Sequence, residues 1–208
     1  MTEASERIID LYDRHALAFD RERGKSLFER TWLDRFLALL PRGGSILDIG
    51  CGVAEPIGRY FIERGYDVTG ADSSPAMLAI CERRFPHCTF IQSDMRALSM
   101  ARRFDGIIAW NSFFHLDHDD QRKMFPVFRR HAAAKAALMF TSGPRHGEAI
   151  GAFEGEPLYH ASLDGDEYRL RLDQVGFDVV SHLAEDPQCG GHTVWLAQSR
   201  PGAALNPD

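Results

Sequence analysis

Apolar positions recur at helical spacing over the first forty residues: Ile8, Leu11, Tyr12, His15 and Phe19, then Trp32, Leu33, Phe36, Leu37 and Leu40. This periodicity predicts helix from Ser5 to Leu40, divided in two near Gly24. Pro41-Arg-Gly-Gly44 breaks the pattern. Short apolar runs then alternate with amphipathic segments. Strands are expected at Ser45–Ile49, Asp67–Ala71, Cys88–Gln92, Phe104–Trp110 and Ala136–Thr141. The fourth is the most apolar and is therefore placed centrally. Helices are expected from Pro56 to Gly65, over Pro75–Arg84 behind a Ser74 cap, and over Asp119–His131 with a kink at Pro126. Gly143–Leu163 shows no clear period and reads as a long loop. A helix over Asp164–Val175 precedes strands at Phe177–Ala184 and Thr193–Gln198. Their link, Glu185–His192, is too short for a helical crossover, so the pair is expected to be antiparallel.

Strand–helix alternation of this kind predicts an α/β fold: a doubly wound, seven-stranded, mostly parallel sheet with a C-terminal antiparallel hairpin and N-terminal helices. Residues 1–199 read as one domain. Within it, 1–40 form a helical cap and 143–163 an insertion placed to act as a lid over the strand ends; 200–208 read as a frayed tail.

Composition narrows the function. The chain has 208 residues, 44% apolar and 26% charged, as expected of a soluble globular protein. A net charge of −6 argues against a nucleic-acid partner. The basic pairs Arg83-Arg84, Arg102-Arg103 and Arg122-Lys123 read as solvated surface. No apolar stretch approaches a membrane span, and the N-terminus lacks the basic and apolar regions of a signal peptide. Four cysteines, Cys51, Cys81, Cys88 and Cys189, without a C-x-x-C pair suggest reduced thiols and a cytoplasmic location.

The chemistry concentrates at the ends of the first strands. Ser45–Gly58 reads as strand, glycine turn and helix start, where an open α/β sheet holds a nucleotide-like ligand. Gly50 and Gly52 fit a G-x-G-x-x-G count, but the third position is Glu55, a carboxylate that would oppose a pyrophosphate. The turn therefore suits an adenosine ligand without phosphates. Asp48 is a carboxylate in an apolar strand, costly unless it is paired, for instance with a cationic ligand group. Asp72, 22 residues after Gly50, can accept hydrogen bonds from two ribose hydroxyls. Asp94 could accept from an adenine amino group, and the Met95 amide could meet the ring.

Leu47-Asp-Ile-Gly-Cys-Gly52, Gly70-Ala-Asp72 and Gln92-Ser-Asp-Met95 stand in order, followed by the strand exit Phe104–Leu116. In this the chain resembles the class I S-adenosylmethionine-dependent methyltransferases of the small, stand-alone kind, from about Tyr12 to Ser199. The resemblance implies a Rossmann-like fold, S-adenosylmethionine as methyl donor and a small-molecule acceptor. It implies a cofactor site of Asp48, Gly50, Cys51, Gly52, Asp72, Ser73, Asp94, Met95 and Trp110, with an N-terminal aromatic (Tyr12, Phe19 or Trp32) closing over it. The family's third glycine is Ala54 here, a change expected to need only a small backbone adjustment.

Acceptor chemistry is less defined. His115 in the run His115–Asp120 is the first candidate base, with His146 and His160 in the insertion as others. Asp117 or Asp119 would cap the next helix. No metal is expected, since neighbours in sequence seldom converge on one ion. The competing readings are an NAD(P)-dependent oxidoreductase and a non-catalytic S-adenosylmethionine-binding module.

Overall fold

The computed structural model describes residues 3–201. The tail expected at 200–208 thus lies outside the described residues from 202 onward, while Arg200 is ion-paired with Asp173 at 2.5 Å and Asp178 at 2.7 Å.

Seven strands form the main sheet: β1 (Ser45–Ile49), β2 (Asp67–Asp72), β3 (Thr89–Gln92), β4 (Phe104–Ala109), β5 (Ala132–Ser142), β8 (Phe177–Asp186) and β9 (His192–Ser199). Their order is β3-β2-β1-β4-β5-β9-β8. The pairs among β3, β2, β1, β4 and β5 are parallel, and β9 runs antiparallel to both β5 and β8. Strand order reverses between β1 and β4, the switch point where such sheets open a ligand crevice.

Side-chain alternation divides the core into two layers. Leu47, Ile49, Ile107, Leu138, Phe140 and Trp195 face α7 (His118–His131) and α8 (Gly165–Gln174), packing with Phe125, Phe128 and Tyr168. Ile46, Ile108, Met139 and Leu196 face the other way, against Trp32, Phe36 and Phe61 of α4 (Arg30–Leu37) and α5 (Ile57–Glu63). Burial on both faces explains why these strands read as unbroken apolar runs.

Several boundaries differ from the sequence pattern. The N-terminal region forms four helices rather than two: α1 (Glu3–Glu6), α2 (Ile8–Arg14), α3 (Ala16–Glu22) and α4. Pro56 occupies the N-cap of α5, joined to Glu55 by a cis peptide, so it stands one residue before the position expected. α6 (Pro75–Arg84) begins as expected, with the Ser74 hydroxyl accepting from the Met77 amide at 3.1 Å. α7 continues through Pro126, and Asp117 caps it by accepting from the Asp120 amide at 2.8 Å.

The largest difference is the insertion. Residues 143–163 are not an irregular loop; they hold an antiparallel hairpin of β6 (Gly147–Phe153) and β7 (Glu156–Ser162). Glu154 and Gly155 both take left-handed φ values, 51° and 78°, as a two-residue hairpin turn requires. β6 is almost wholly exposed, so it shows no alternating pattern, whereas β7 buries Tyr159 and Ala161 against Ile8 and Tyr12. Among the described residues no helix is long and apolar enough to cross a membrane.

Candidate active site

β1 hands the chain to a turn of three left-handed residues, Gly50 (φ 72°), Gly52 (53°) and Ala54 (57°). The Gly50 and Cys51 amides donate to the Ala71 carbonyl at 2.7 and 3.1 Å, tying the turn to the end of β2. A Cβ on Gly50 would fall 2.3 Å from the Ser112 Cβ, so only glycine fits there. Ala54 corrects the expectation of an easy substitution. Its φ lies where alanine costs roughly 1 kcal/mol, and the fold holds it there regardless.

Asp72 closes β2 between the turn and α6. One carboxylate oxygen accepts from the Gly52 amide at 2.8 Å and the other from the Ser74 amide at 2.9 Å. Burial pushes its pKa up, opposed by these backbone hydrogen bonds. Asp48 is buried in β1, and among the described residues no hydrogen bond reaches its carboxylate. Burial first, and the nearby Asp72 charge second, push it up to about 7.

These groups border a cavity of about 350 Å³. Gly50, Cys51, Gly52, Asp72 and Ser73 line it from the first two strands; Asp94, Met95, Trp110 and His115 line it from the third and fourth strand exits. Tyr12 and Phe19 enter from α2 and α3, with their rings edge-to-face at 5.7 Å. The Phe19 ring comes within 3.2 Å of where a Gly52 Cβ would lie, so it rests directly on the turn. Polar ties anchor this cover: Asp13 accepts from the Ser74 hydroxyl at 2.6 Å, and Asp20 pairs with Arg84 at 2.8 Å.

Trp32 does not belong to this site. It is 1% exposed within the second core layer and donates its indole N–H to Asp186 at 2.8 Å. Glu55 borders the cavity but is not a free charge facing a ligand. It is paired with Arg59, with Lys25 at 3.4 Å and with Arg84 at 3.4 Å. Among the described residues, the acids around the turn without a paired cation are Asp48 and Asp72. Asp94 is held by the Arg96 guanidinium at 3.0 Å and caps a short 3₁₀ turn at Met95–Ala97.

His115 is buried at the cavity wall between three elements. A carbonyl can only accept, so Nδ1 carries the hydrogen and donates to Tyr159 at 2.8 Å. Nε2 therefore accepts from the Tyr12 hydroxyl at 3.0 Å. Burial lowers the His115 pKa to about 4 and raises that of Tyr12 to about 12. His160 also borders the cavity, its ring 4.9 Å from that of His115. His146 lies elsewhere, in a second cavity of about 380 Å³ beside the hairpin. Among the described residues no group of three or more His, Cys, Asp or Glu is placed to hold a metal ion.

The pattern of the sequence did not reveal Arg23, which borders the cavity and pairs with the buried Glu29 at 2.7 Å. Nothing in its local sequence separates it from neighbouring surface arginines. Nor did it reveal Ser112, whose hydroxyl donates to the Ile49 carbonyl at 2.7 Å and props the turn. Trp110 borders the cavity, and its buried indole N–H has no hydrogen-bond partner among the described residues.

A sheet of this order, with a glycine turn after β1 and an acid closing β2, defines the class I S-adenosylmethionine-dependent methyltransferase fold. A family model described as a methyltransferase domain matches residues 46–135. It is 35% identical over 77 residues to the dTDP-3-amino-3,6-dideoxy-alpha-D-glucopyranose N,N-dimethyltransferase of Streptomyces fradiae, covering 36% of this chain and 30% of that protein. It is 25% identical over 205 residues to the dTDP-4-amino-2,3,4,6-tetradeoxy-D-glucose N,N-dimethyltransferase of Saccharopolyspora spinosa, covering 85% and 80%. Other curated relatives are matched over only 34–40% of their own length. Among solved structures, the 1,6-didemethyltoxoflavin-N1-methyltransferase of Burkholderia thailandensis, with bound S-adenosylhomocysteine, superposes with a TM-score of 0.72. It is 19% identical, covering 96% of this chain and 92% of that one.

Proposed function

We propose that the protein transfers a methyl group from S-adenosylmethionine to a small-molecule acceptor. The observation that carries this reading is a pair of acids without a cation partner among the described residues, around one cavity at the switch point. Asp48 is a buried carboxylate without a hydrogen-bonding partner among the described residues, and its ionised form needs a cation. The cofactor's ammonium meets that need, whereas a pyrophosphate would meet two carboxylates. Asp72 suits the ribose hydroxyls, Arg23 the methionine carboxylate, and Asp94 with Met95 the adenine. Tyr12 and Phe19 close over them.

When bound, the cofactor supplies a methyl group on a sulfonium, ready for in-line displacement. The protein's part is alignment and the exclusion of water. His115 is a positioning residue in this scheme: both its nitrogens are engaged, and at about 4 its pKa is too low for the ring to take up a second proton at neutral pH. It fixes the Tyr12 ring against β7. His160 is the imidazole left to accept a proton; burial pushes its pKa down and so keeps it neutral.

The names of the relatives support a small acceptor. So does the surface: Arg84, Arg102, Arg122 and Lys123 are each ion-paired with an acid, which leaves little for a nucleic-acid backbone. Incubation with methyl-labelled S-adenosylmethionine and pooled small metabolites tests the reading. The expected result is label in a small product, with S-adenosylhomocysteine formed in step. Tight cofactor binding with no label transferred across broad pools would instead favour a binding module.

A further inference from the structure

The second cavity adjoins the first. Phe114 and His160 border both, with their rings 5.1 Å apart, and so form the partition between them. Its rim is the β5 exit, where Pro144, Arg145 and His146 lie, and its far wall is the hairpin. The two cavities differ in charge. The first carries Asp48, Asp72 and Asp94; of its arginines, Arg96 is tied to Asp94, and Arg23, paired with Glu29, is the one proposed for the methyl donor's carboxylate. In the second, Arg145 is the cation, and among the described residues no acid or carbonyl pairs with it. The carboxylate there, Glu148, keeps its charge, but its Oε1 is turned to the Tyr159 hydroxyl at 2.9 Å and to His118 Nδ1 at 3.8 Å. His146 is fixed beside Arg145 by stacking on His118 at 4.4 Å. His118 in turn donates from Nε2 to the Gly147 carbonyl at 3.2 Å.

A guanidinium with its donors free, next to a held imidazole at the mouth of a cavity, is suited to an oxyanion. We propose that this second cavity is the acceptor chamber and that the acceptor is an acidic small molecule. Its carboxylate or phosphate oxygens meet Arg145 and His146, and its reactive end points past Phe114 and His160 toward the first cavity. The proposal rests on the methyl-donor reading of that first cavity.

Titration calorimetry on the full chain saturated with S-adenosylhomocysteine tests it, with citrate and inorganic pyrophosphate as the two oxyanion sources and spermidine as a cation. At least one anion is expected to bind, and which one does so identifies the source. Arg145→Gln should weaken that binding by about tenfold or more, and Arg145→Lys by less, because a point charge remains without the fork. Arg42→Gln, at an exposed site before β1, should leave it unchanged. Wild-type anion affinity in Arg145→Gln overturns the proposal, as does binding of spermidine in preference to both anions, or binding of neither anion. S-adenosylhomocysteine is titrated first into every variant. If it binds normally while the anion results fail, only the chamber assignment falls. If it does not bind the wild type, the donor reading falls, and anion titration of the unliganded chain then decides the chamber.

Discussion

Asp48 couples cofactor binding to protons. In the free protein its pKa is about 7, against 3.8 for an exposed aspartate. As pH rises between these values the unfolded chain loses this proton while the folded chain keeps it. Stability therefore falls across that window by up to about 4 kcal/mol, an upper bound. A bound ammonium would favour the ionised form and reverse the loss. S-adenosylhomocysteine binding at pH 6.5 is thus expected to release a substantial fraction of one proton, and Asp48→Asn to abolish that release. Calorimetry in buffers of differing ionisation heat measures it; zero release in the wild type would remove Asp48 from the ammonium. At this scale, position along a strand was enough to put Asp48 and Asp72 at the ends of their strands, where they border the cavity. It failed where chemistry depends on distant partners. Lys25 and Arg84 neutralise Glu55, Asp186 claims the Trp32 indole, and Tyr12 and Tyr159 occupy both nitrogens of His115.

At the scale of elements, the hairpin joins the cofactor cover to the acceptor side. Phe153 packs against Tyr12 at 5.6 Å and Phe19 at 6.4 Å, and Glu156 meets Arg14 at 2.6 Å and His15 at 2.8 Å. Ligand entry to the first cavity must disturb these contacts or the helices they brace. Exposed ion pairs contribute modestly, so Glu156→Gln should accelerate S-adenosylhomocysteine dissociation by about threefold at low salt, with little change in Tm. Phe153→Ala should do more. Stopped-flow displacement checks this, and equal rates in all three proteins would show that the hairpin does not brace the cover. The hairpin escaped sequence reading because β6 exposes nearly every side chain and so lacks a pattern of period two. The breaks that divide the N-terminal helices were equally hidden. They fall at Arg7 and His15, residues without the glycine or proline that stops a helix.

For the whole molecule, sheet class and the antiparallel C-terminal pair were legible because two-sided burial makes long apolar runs and because short links forbid crossovers. The position of β9 between β5 and β8 was not, since nothing local states which neighbour a strand will choose. The account as a whole depends on one ligand occupying the cavity at the switch point, between Asp72, Asp48 and the N-terminal cover. Calorimetric titration of the wild type and Asp72→Ala with S-adenosylhomocysteine and NAD tests this most directly. The predicted result is one S-adenosylhomocysteine per chain, no NAD binding, and an affinity for S-adenosylhomocysteine at least about tenfold weaker in Asp72→Ala, since two hydrogen bonds to a charged group are lost. Binding of NAD without S-adenosylhomocysteine, or an unchanged affinity in the variant, would contradict it.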